Sequence, residues 1–531
     1  MDSYDIIVIG AGSGGCAAAG GLAEDGSRTV CVIEAGGTND SFFIRTPGML
    51  VALPKKANWA FDTECMESLG GRAGYQPRGR GLGGSSAINA MLYIRGNAWD
   101  YDNWANLGCT GWRYSDVLPW FKRCENNVRG ADAFHGNKGP LHVDDQHWPS
   151  PGSRAFVEAA TRLQYPENRD FNGGRQDGFG LYQVTQYQGE RWSAARAFLD
   201  PLKGRANLDI RTDTLVERVL IENGRATGVV VRRGGKQETL HARQAVIVSG
   251  GAFGSPQTLM LSGIGPAEHL KAMGIEVVLD KPAVGADLQD HCDNIIAYDA
   301  DSPDFFGGSL AAMWRMLKAL MQYRRDKSGM MTTPFAESGG FWKIRADAPA
   351  PDVQYHFIPG IVQNHGRDKV RESGFSVHAC ALRPKSRGTV RLRSNDPAAA
   401  PSINPNFLSD PGGEDIALLR DATRLMVRIC ETEPMSRYKG RNRHPVDYAD
   451  DAALDQLIRD RCDTIYHPVG TCRMGPCADD VADPELRVRG VEGLYVADAS
   501  IMPRLISGNT NAPSIMIGMR CADFVKQHLA A

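Results

Sequence analysis

No run of the 531 residues approaches the ~18 consecutive apolar positions that a membrane-spanning helix needs. Neither sign of charge is in excess: 60 Lys and Arg stand against 62 Asp and Glu, a formal net charge of −2. That balance supplies no general attraction toward nucleic acid or an anionic surface. Cysteines number twelve, and no two are spaced CxxC, which argues against a disulfide framework or a zinc ribbon. Cys16 and Cys31 lie in apolar runs and read as buried thiols, so a reducing interior is expected. A secretory leader is not evident. The first apolar run, Ile6 to Ile9, follows Asp2 and Asp5 and leads directly into a glycine loop, so the expected compartment is the cytoplasm. There is no HExxH and no G-x-S-x-G, no repeat and no low-complexity tract.

Glycine, by contrast, is plentiful at 59 residues, and its placement organises the chain. "YDIIVIG" is a continuous apolar run, as in a strand buried on both faces. A glycine loop and an alanine-rich helix follow, then a second buried strand in "TVCVIEAG", making a βαβ unit of about thirty residues. Similar strands recur at "AVIVSGG" (245–251) and "GLYVADAS" (493–500). Between residues 207 and 251 apolar and polar residues alternate around "ENG" and "RGG" turns, as in an antiparallel meander. The expected fold is therefore α/β (α+β overall). A Rossmann-like dinucleotide domain spans 1–150, 200–300 and 456–531. An inserted antiparallel-sheet-plus-helices domain for substrate spans 151–199 and 301–455.

Gly10, Gly12 and Gly15 form G-x-G-x-x-G after a strand and at the start of a helix. The three glycines allow a tight turn, backbone approach to a pyrophosphate, and close helix–strand packing. The helix N-terminus adds free N–H groups and the positive end of its dipole. Glu34, 19 residues beyond Gly15, is placed to accept hydrogen bonds from a ribose diol. This pattern predicts a bound dinucleotide and does not separate FAD from NAD.

A second glycine-rich stretch, "GRGLGGSSAINAMLYIRG" (79–96), resembles the first signature of the glucose-methanol-choline (GMC) flavoenzyme family. "GGAFGSPQTLMLSGIGP" (250–266) is similar to the second signature, with Thr258 where an aliphatic residue is usual. "GERWSAARAFLDP", "VGADLQDH", "HPVGTCRMG" and "SGNTNAPSIMIG" also fit, in the expected order, from residue 5 to about 525. The resemblance lies nearest the bacterial choline-dehydrogenase-like branch. It implies FAD. Glu34 would hold the adenosine ribose. Leu82, Gly84, Asn89, Met91 and Leu92 would run along the flavin and ribityl chain. Val216 would meet the adenine, and Asp498 would sit near the ribityl or pyrophosphate. Some members tether the flavin through a histidine one place before the signature asparagine. That place is Ile88 here, which implies a dissociable, non-covalent FAD.

In "DTIYHPVGTCRMG" (463–475), His467 invites four readings: metal ligand, neighbour of a redox thiol, catalytic base or core histidine. The spacing to Cys472 and Cys477 suits neither zinc nor a dithiol, and no metal site is expected. The resemblance gives His467 a task as the base that removes an alcohol's hydroxyl proton while hydride leaves the carbinol carbon. It makes Asn511 the residue that positions the substrate oxygen. Pro513 would lie in the first turn of a helix whose positive end stabilises a reduced flavin.

What the resemblance implies, then, is oxidation of a primary alcohol or polyol, with electrons passed to a quinone or dye-like carrier rather than O2. An H2O2-producing oxidase and a non-redox hydroxynitrile-lyase-like member are the alternatives. Glu337, near Phe341 and Trp342, could attract a cationic alcohol, but a structural hydrogen-bonding role is preferred. The helix expected at 310–329 carries Met313, Leu317, Leu320 and Met321 on one face. Peripheral membrane contact is not the favoured reading; an ordinary amphipathic helix packed on its own domain is.

Overall fold

A computed structural model describes residues 2–530, so Met1 and Ala531, included in the domain spans above, lie outside the described residues. Two sheets dominate. The first has seven strands, running Leu208–Arg211, Val30–Ile33, Ser3–Ile9, Lys236–Val248, Arg225–Arg233 and Thr214–Glu222. Leu494–Val496 also pairs with Lys236–Val248. The strands that are apolar throughout pair in parallel in its centre, where both faces are covered. The expected meander is its antiparallel wing. Lys236–Val248 joins the two: its first half alternates and is largely exposed, whereas its second half is buried beside Ser3–Ile9.

Helix Ser13–Ala23 packs against the C-terminal helix Asn511–Ala530 at unusually short range. A Cβ on Gly518 would fall 2.1 Å from the Gly14 carbonyl oxygen, and one on Gly21 would fall 2.9 Å from Ala522 Cβ. Only glycine permits this contact.

The second sheet is antiparallel. Its order is Asp463–Thr464, Cys292–Asp299, Gly374–Ala381, Val353–Ile358, Ser338–Trp342 and Gly178–Leu181. Helices Pro151–Arg162 and Glu414–Glu431 share its core, which includes Phe156, Tyr355, Phe357 and Phe375. Two of these strands, Cys292–Asp299 and Asp463–Thr464, come from stretches that the sequence reading gave to the dinucleotide domain. Asp463–Thr464 is only two polar residues, and the apolar run Ile295–Tyr298 carries no mark of which sheet it joins, so the crossing point was not legible locally.

At this crossing the two segments run antiparallel. Cys292 opposes Thr464, and Gln289 bridges to Val469. A disulfide between Cys292 and Cys462 ties them together, while ten cysteines are free. The cysteine reading missed this pair because its members are 170 residues apart in sequence.

Helix Leu310–Asp326 departs from expectation. Ala312, Ala319 and Tyr323 are its buried residues, whereas Leu310, Met313, Trp314, Leu317 and Met321 stand in solvent. Of the face expected to pack, only Leu320 does so, beside Met316; Met313, Leu317 and Met321 are left uncovered. No described helix is long and apolar enough to cross a membrane.

Candidate active site

The first glycine loop is built as its spacing requires. Gly10 has φ +93°, and a Cβ there would lie 2.5 Å from the Ser249 carbonyl oxygen. A Cβ on Gly15 would lie 1.9 Å from the Gly10 carbonyl oxygen. At Gly12 the nearest atom to such a Cβ is 3.9 Å away, so that side of the loop is open. Helix Ser13–Ala23 begins there without a side-chain cap.

Glu34 is buried and accepts backbone N–H groups from Ala11 (3.0 Å), Gly36 (2.9 Å) and Gly81 (2.9 Å). It thereby fastens the first loop to the second glycine stretch. Three bonds leave its carboxylate about one further lone pair for a ribose hydroxyl. Gly84 completes the contact, since a Cβ on it would lie 2.7 Å from Gly12 Cα. Leu82 donates its N–H to the Gly37 carbonyl at 2.9 Å. Asn89 Oδ1 accepts from the Met91 N–H and from Arg191 Nη1, both at 3.0 Å.

Met91 is buried at φ +62°, a conformation costly for a side chain of its size, and it stands in the second glycine stretch. Leu92 is buried with Ile94, Phe171 and Tyr182. Val216 lies opposite Val231 beside a bulge in the meander. Asp498 accepts from the Gly251 N–H (2.9 Å), Ser255 Oγ (2.5 Å) and the Ser500 N–H (2.7 Å), locking the second signature to the C-terminal segment.

Asn511 belongs to this cradle. Its Oδ1 accepts from Ser13 Oγ at 2.7 Å, which joins the N-terminus of helix Ser13–Ala23 to that of Asn511–Ala530. Pro513 lies in the first turn of the latter. Two positive dipole ends therefore converge beside the open face of Gly12. Arg191 adds a buried guanidinium that touches Ile44, Ser86 and Asn89, with Nη2 lacking any hydrogen-bond partner. Burial lowers its pKa to about 9. This arrangement suits a large anionic dinucleotide.

His467 sits at the crossing between the sheets, 6% exposed. Its backbone N–H donates to Asp290 Oδ1 at 2.9 Å. The preceding Tyr466 has φ +74° and is held there by Thr464 Oγ1 and Arg78. The ring nitrogens have distinct partners: Nδ1 lies 2.9 Å from His291 Nδ1, and Nε2 lies 3.0 Å from Asn509 Nδ2.

Protonation follows from the chain of contacts. His291 Nε2 faces the Leu382 carbonyl oxygen at 3.1 Å, and a carbonyl only accepts, so Nε2 carries the hydrogen. Burial lowers the His291 pKa to about 3, so its Nδ1 is a bare acceptor. His467 must then donate from Nδ1. Burial, with His291, His356 and Arg78 nearby, also holds the His467 pKa well below 6.5. Its Nε2 is left as a lone pair, which accepts from the Asn509 amide. Gln354 Nε2 donates to Asn509 Oδ1 at 3.1 Å and fixes that amide's orientation.

The structure thus moves the partner of His467 two residues upstream. Asn509, not Asn511, reaches the imidazole, and Asn511 serves the cradle instead. "SGNTNAPSIMIG" offers both asparagines, and only the turn before the helix decides between them. His291 was also missed, although it ends the quoted "VGADLQDH". Glu337 is fully buried and accepts from the Ser150 N–H, Ser153 Oγ and Thr333 Oγ1, each at 2.7 Å, as the structural reading expected.

The family is now shown from both ends of the chain. The GMC oxidoreductase N-terminal profile matches residues 4–293 and its C-terminal profile residues 384–518. The chain is 43% identical over 534 residues to an oxygen-dependent choline dehydrogenase of Rhizobium etli, covering 99% of this chain and 96% of that one. It is 42% identical to an alcohol dehydrogenase (acceptor) of Pseudomonas putida, covering 98% and 95%. Among solved structures it resembles pyridoxine 4-oxidase from Mesorbium loti, with TM-score 0.88, 30% identity and 99% coverage of each chain. A FAD-dependent oxidoreductase from Chaetomium thermophilum superposes with TM-score 0.90 at 25% identity, covering 99% and 100%. The chain belongs to the GMC oxidoreductase family. It is an FAD-binding enzyme that acts on CH–OH groups.

Proposed function

We propose that the protein oxidises an uncharged alcohol, a primary alcohol or polyol, with His467 as the base. The observation that carries this reading is the His467–Asn509 pair. One presents a lone pair at Nε2 and the other an N–H, 3.0 Å apart. A hydroxyl that replaces this bond donates to His467 and accepts from Asn509, satisfying both. His467 is neutral and buried, so it takes the proton without first losing one. The bond from Nδ1 to His291 fixes the tautomer that keeps Nε2 unprotonated.

FAD, when bound, supplies the hydride acceptor for the carbinol carbon. Glu34, Asn511 and the two helix N-termini would hold it, and Ile88 offers no nucleophile for a covalent tether.

The preference for an uncharged substrate rests on the structural use of the carboxylates. Glu337 accepts three hydrogen bonds, Asp293 pairs with His378 at 2.6 Å, and Asp290 accepts from Gln76, Thr464 and the His467 N–H, so all three hold the protein's own segments together. Choline, named for several relatives, is the competing substrate.

Electrons are proposed to go to a non-O2 carrier, in line with the acceptor-type alcohol dehydrogenase relative. The names of the oxygen-dependent choline dehydrogenases and pyridoxine 4-oxidase favour O2 as the second reading.

Anaerobic bleaching of the oxidised flavin's visible absorbance tests substrate and chemistry together. A panel of choline, aliphatic and aromatic alcohols and sugars such as sorbose should bleach it with an uncharged alcohol first. Fastest bleaching by choline would overturn the substrate assignment, and turnover without bleaching would point to lyase chemistry. Peroxide release compared with dye reduction separates the two acceptors.

A further inference from the structure

We infer that helix Leu310–Asp326 is a docking surface for an anionic lipid bilayer. The inference is independent of the alcohol-oxidising reading and stands on the outward face of this helix alone.

Leu310, Met313, Trp314, Leu317 and Met321 recur at helical spacing and fall within a stripe about 100° wide. Leu310 is 78% exposed, Trp314 65% and Met313 60%. The stripe lies opposite the face that holds the helix to the protein, where Ala312 is buried and Ala319 and Tyr323 pack with Phe42, Met49 and Met331. The apolar residues are therefore not explained by the fold. Phe43 and Val51, on the segment beneath, are exposed too.

Charge identifies the occupant. Arg315, Lys318, Arg324, Arg325 and Lys327 stand against Asp326 alone within residues 310–327, although the whole chain is nearly neutral. Arg325 pairs with Asp326 and Lys327 with Glu190, which leaves Arg315, Lys318 and Arg324 as the net positive charge; Lys318 and Arg324 are exposed on the same side as the stripe or at its border. A protruding helix with Trp, Leu and Met outward and Lys and Arg along the edges matches a segment lying in the headgroup region of a bilayer. The stripe is convex and narrow, and so offers no groove for a peptide.

Sedimentation of the purified holoprotein with vesicles provides the test, using phosphatidylcholine with and without phosphatidylglycerol. The wild type should pellet with the anionic vesicles and be released by high salt. Trp314→Glu with Leu317→Glu should lower its partition coefficient at least about tenfold. Lys318→Gln with Arg324→Gln should lower it about fivefold per charge, and only on anionic vesicles. Retained flavin absorbance in each variant shows that it is folded. The inference is overturned if the wild type stays in the supernatant, or if Trp314→Glu with Leu317→Glu pellets as the wild type does. It is also overturned if sedimentation velocity finds a dimer that this double variant dissolves while vesicle binding is absent, because a second copy is then the occupant.

Discussion

Two buried histidine sites differ in charge, one neutral and one cationic. His467, His291 and His356 neighbour one another, and burial lowers all three, His291 and His356 to about 3. His135 is just as enclosed, at 3% exposed, yet its pKa rises to about 9. Burial alone would lower it too. Hydrogen bonds at 2.9 Å to Asp170 and to Glu125 outweigh burial, and Glu125 also pairs with Arg95 at 2.6 Å. What separates the clusters is a carboxylate on the ring. At His467 the nearby Asp290 is turned to the backbone N–H, so the imidazole stays neutral. The imidazole proposed to accept a proton is kept clear of side-chain acid, whereas the one that holds loops together has two carboxylates on its ring.

The strongest way to break this comparison is His467→Ala. Turnover should fall by about 10²–10⁴ with FAD still bound, the usual worth of a general base. His135→Ala should leave kcat nearly intact and lower Tm instead. Next, Glu125→Gln removes the anion between Arg95 and His135. Breaking a buried pair of this kind costs about 3–5 kcal/mol, to be read by chemical denaturation. Asn509→Ala should lower kcat/KM by about ten- to a hundredfold through the lost hydrogen bond to substrate. Asn511→Ala should weaken FAD retention and leave relative alcohol preferences unchanged. A result the other way round restores Asn511 as the substrate partner.

The smallest effects are in pH, and they differ between the two sites. Because the His467 pKa lies well below 6.5, kcat/KM should hold steady as pH falls through 6.5; an acid limb at or above that value would contradict the neutral cluster. His135 has a raised pKa, so its stabilising contribution is full below pH 6.5. It is lost as pH rises toward about 9, which Tm measured across that range will show. Glu125 and Asp170 have lowered pKa values, so their contributions fade only on the acid side.

Much of the cradle was legible in the sequence because it is local. Gly10, Gly12, Gly15 and Glu34 lie within one βαβ unit, and the backbone conformation each demands is written in its residue type. The meander was equally plain from its alternation and its turns. The catalytic end was legible only in part. His467 stood out through its motif, but its partners come from residues 291, 354 and 509, and no short-range pattern joins them. The Cys292–Cys462 pair was hidden for the same reason. So was the outward stripe of helix Leu310–Asp326: periodicity shows that a face is apolar, but not which way that face is turned.

Residue order alone determined the dinucleotide fold and the family, and singled out His467 as the candidate base. These depend on spacings of a few residues, where backbone sterics and hydrogen bonding act directly. Tertiary structure decided which asparagine meets that imidazole, which tautomer it adopts, and which histidines are charged. Those depend on groups hundreds of residues apart being brought within 3 Å, where burial and a single carboxylate set the outcome.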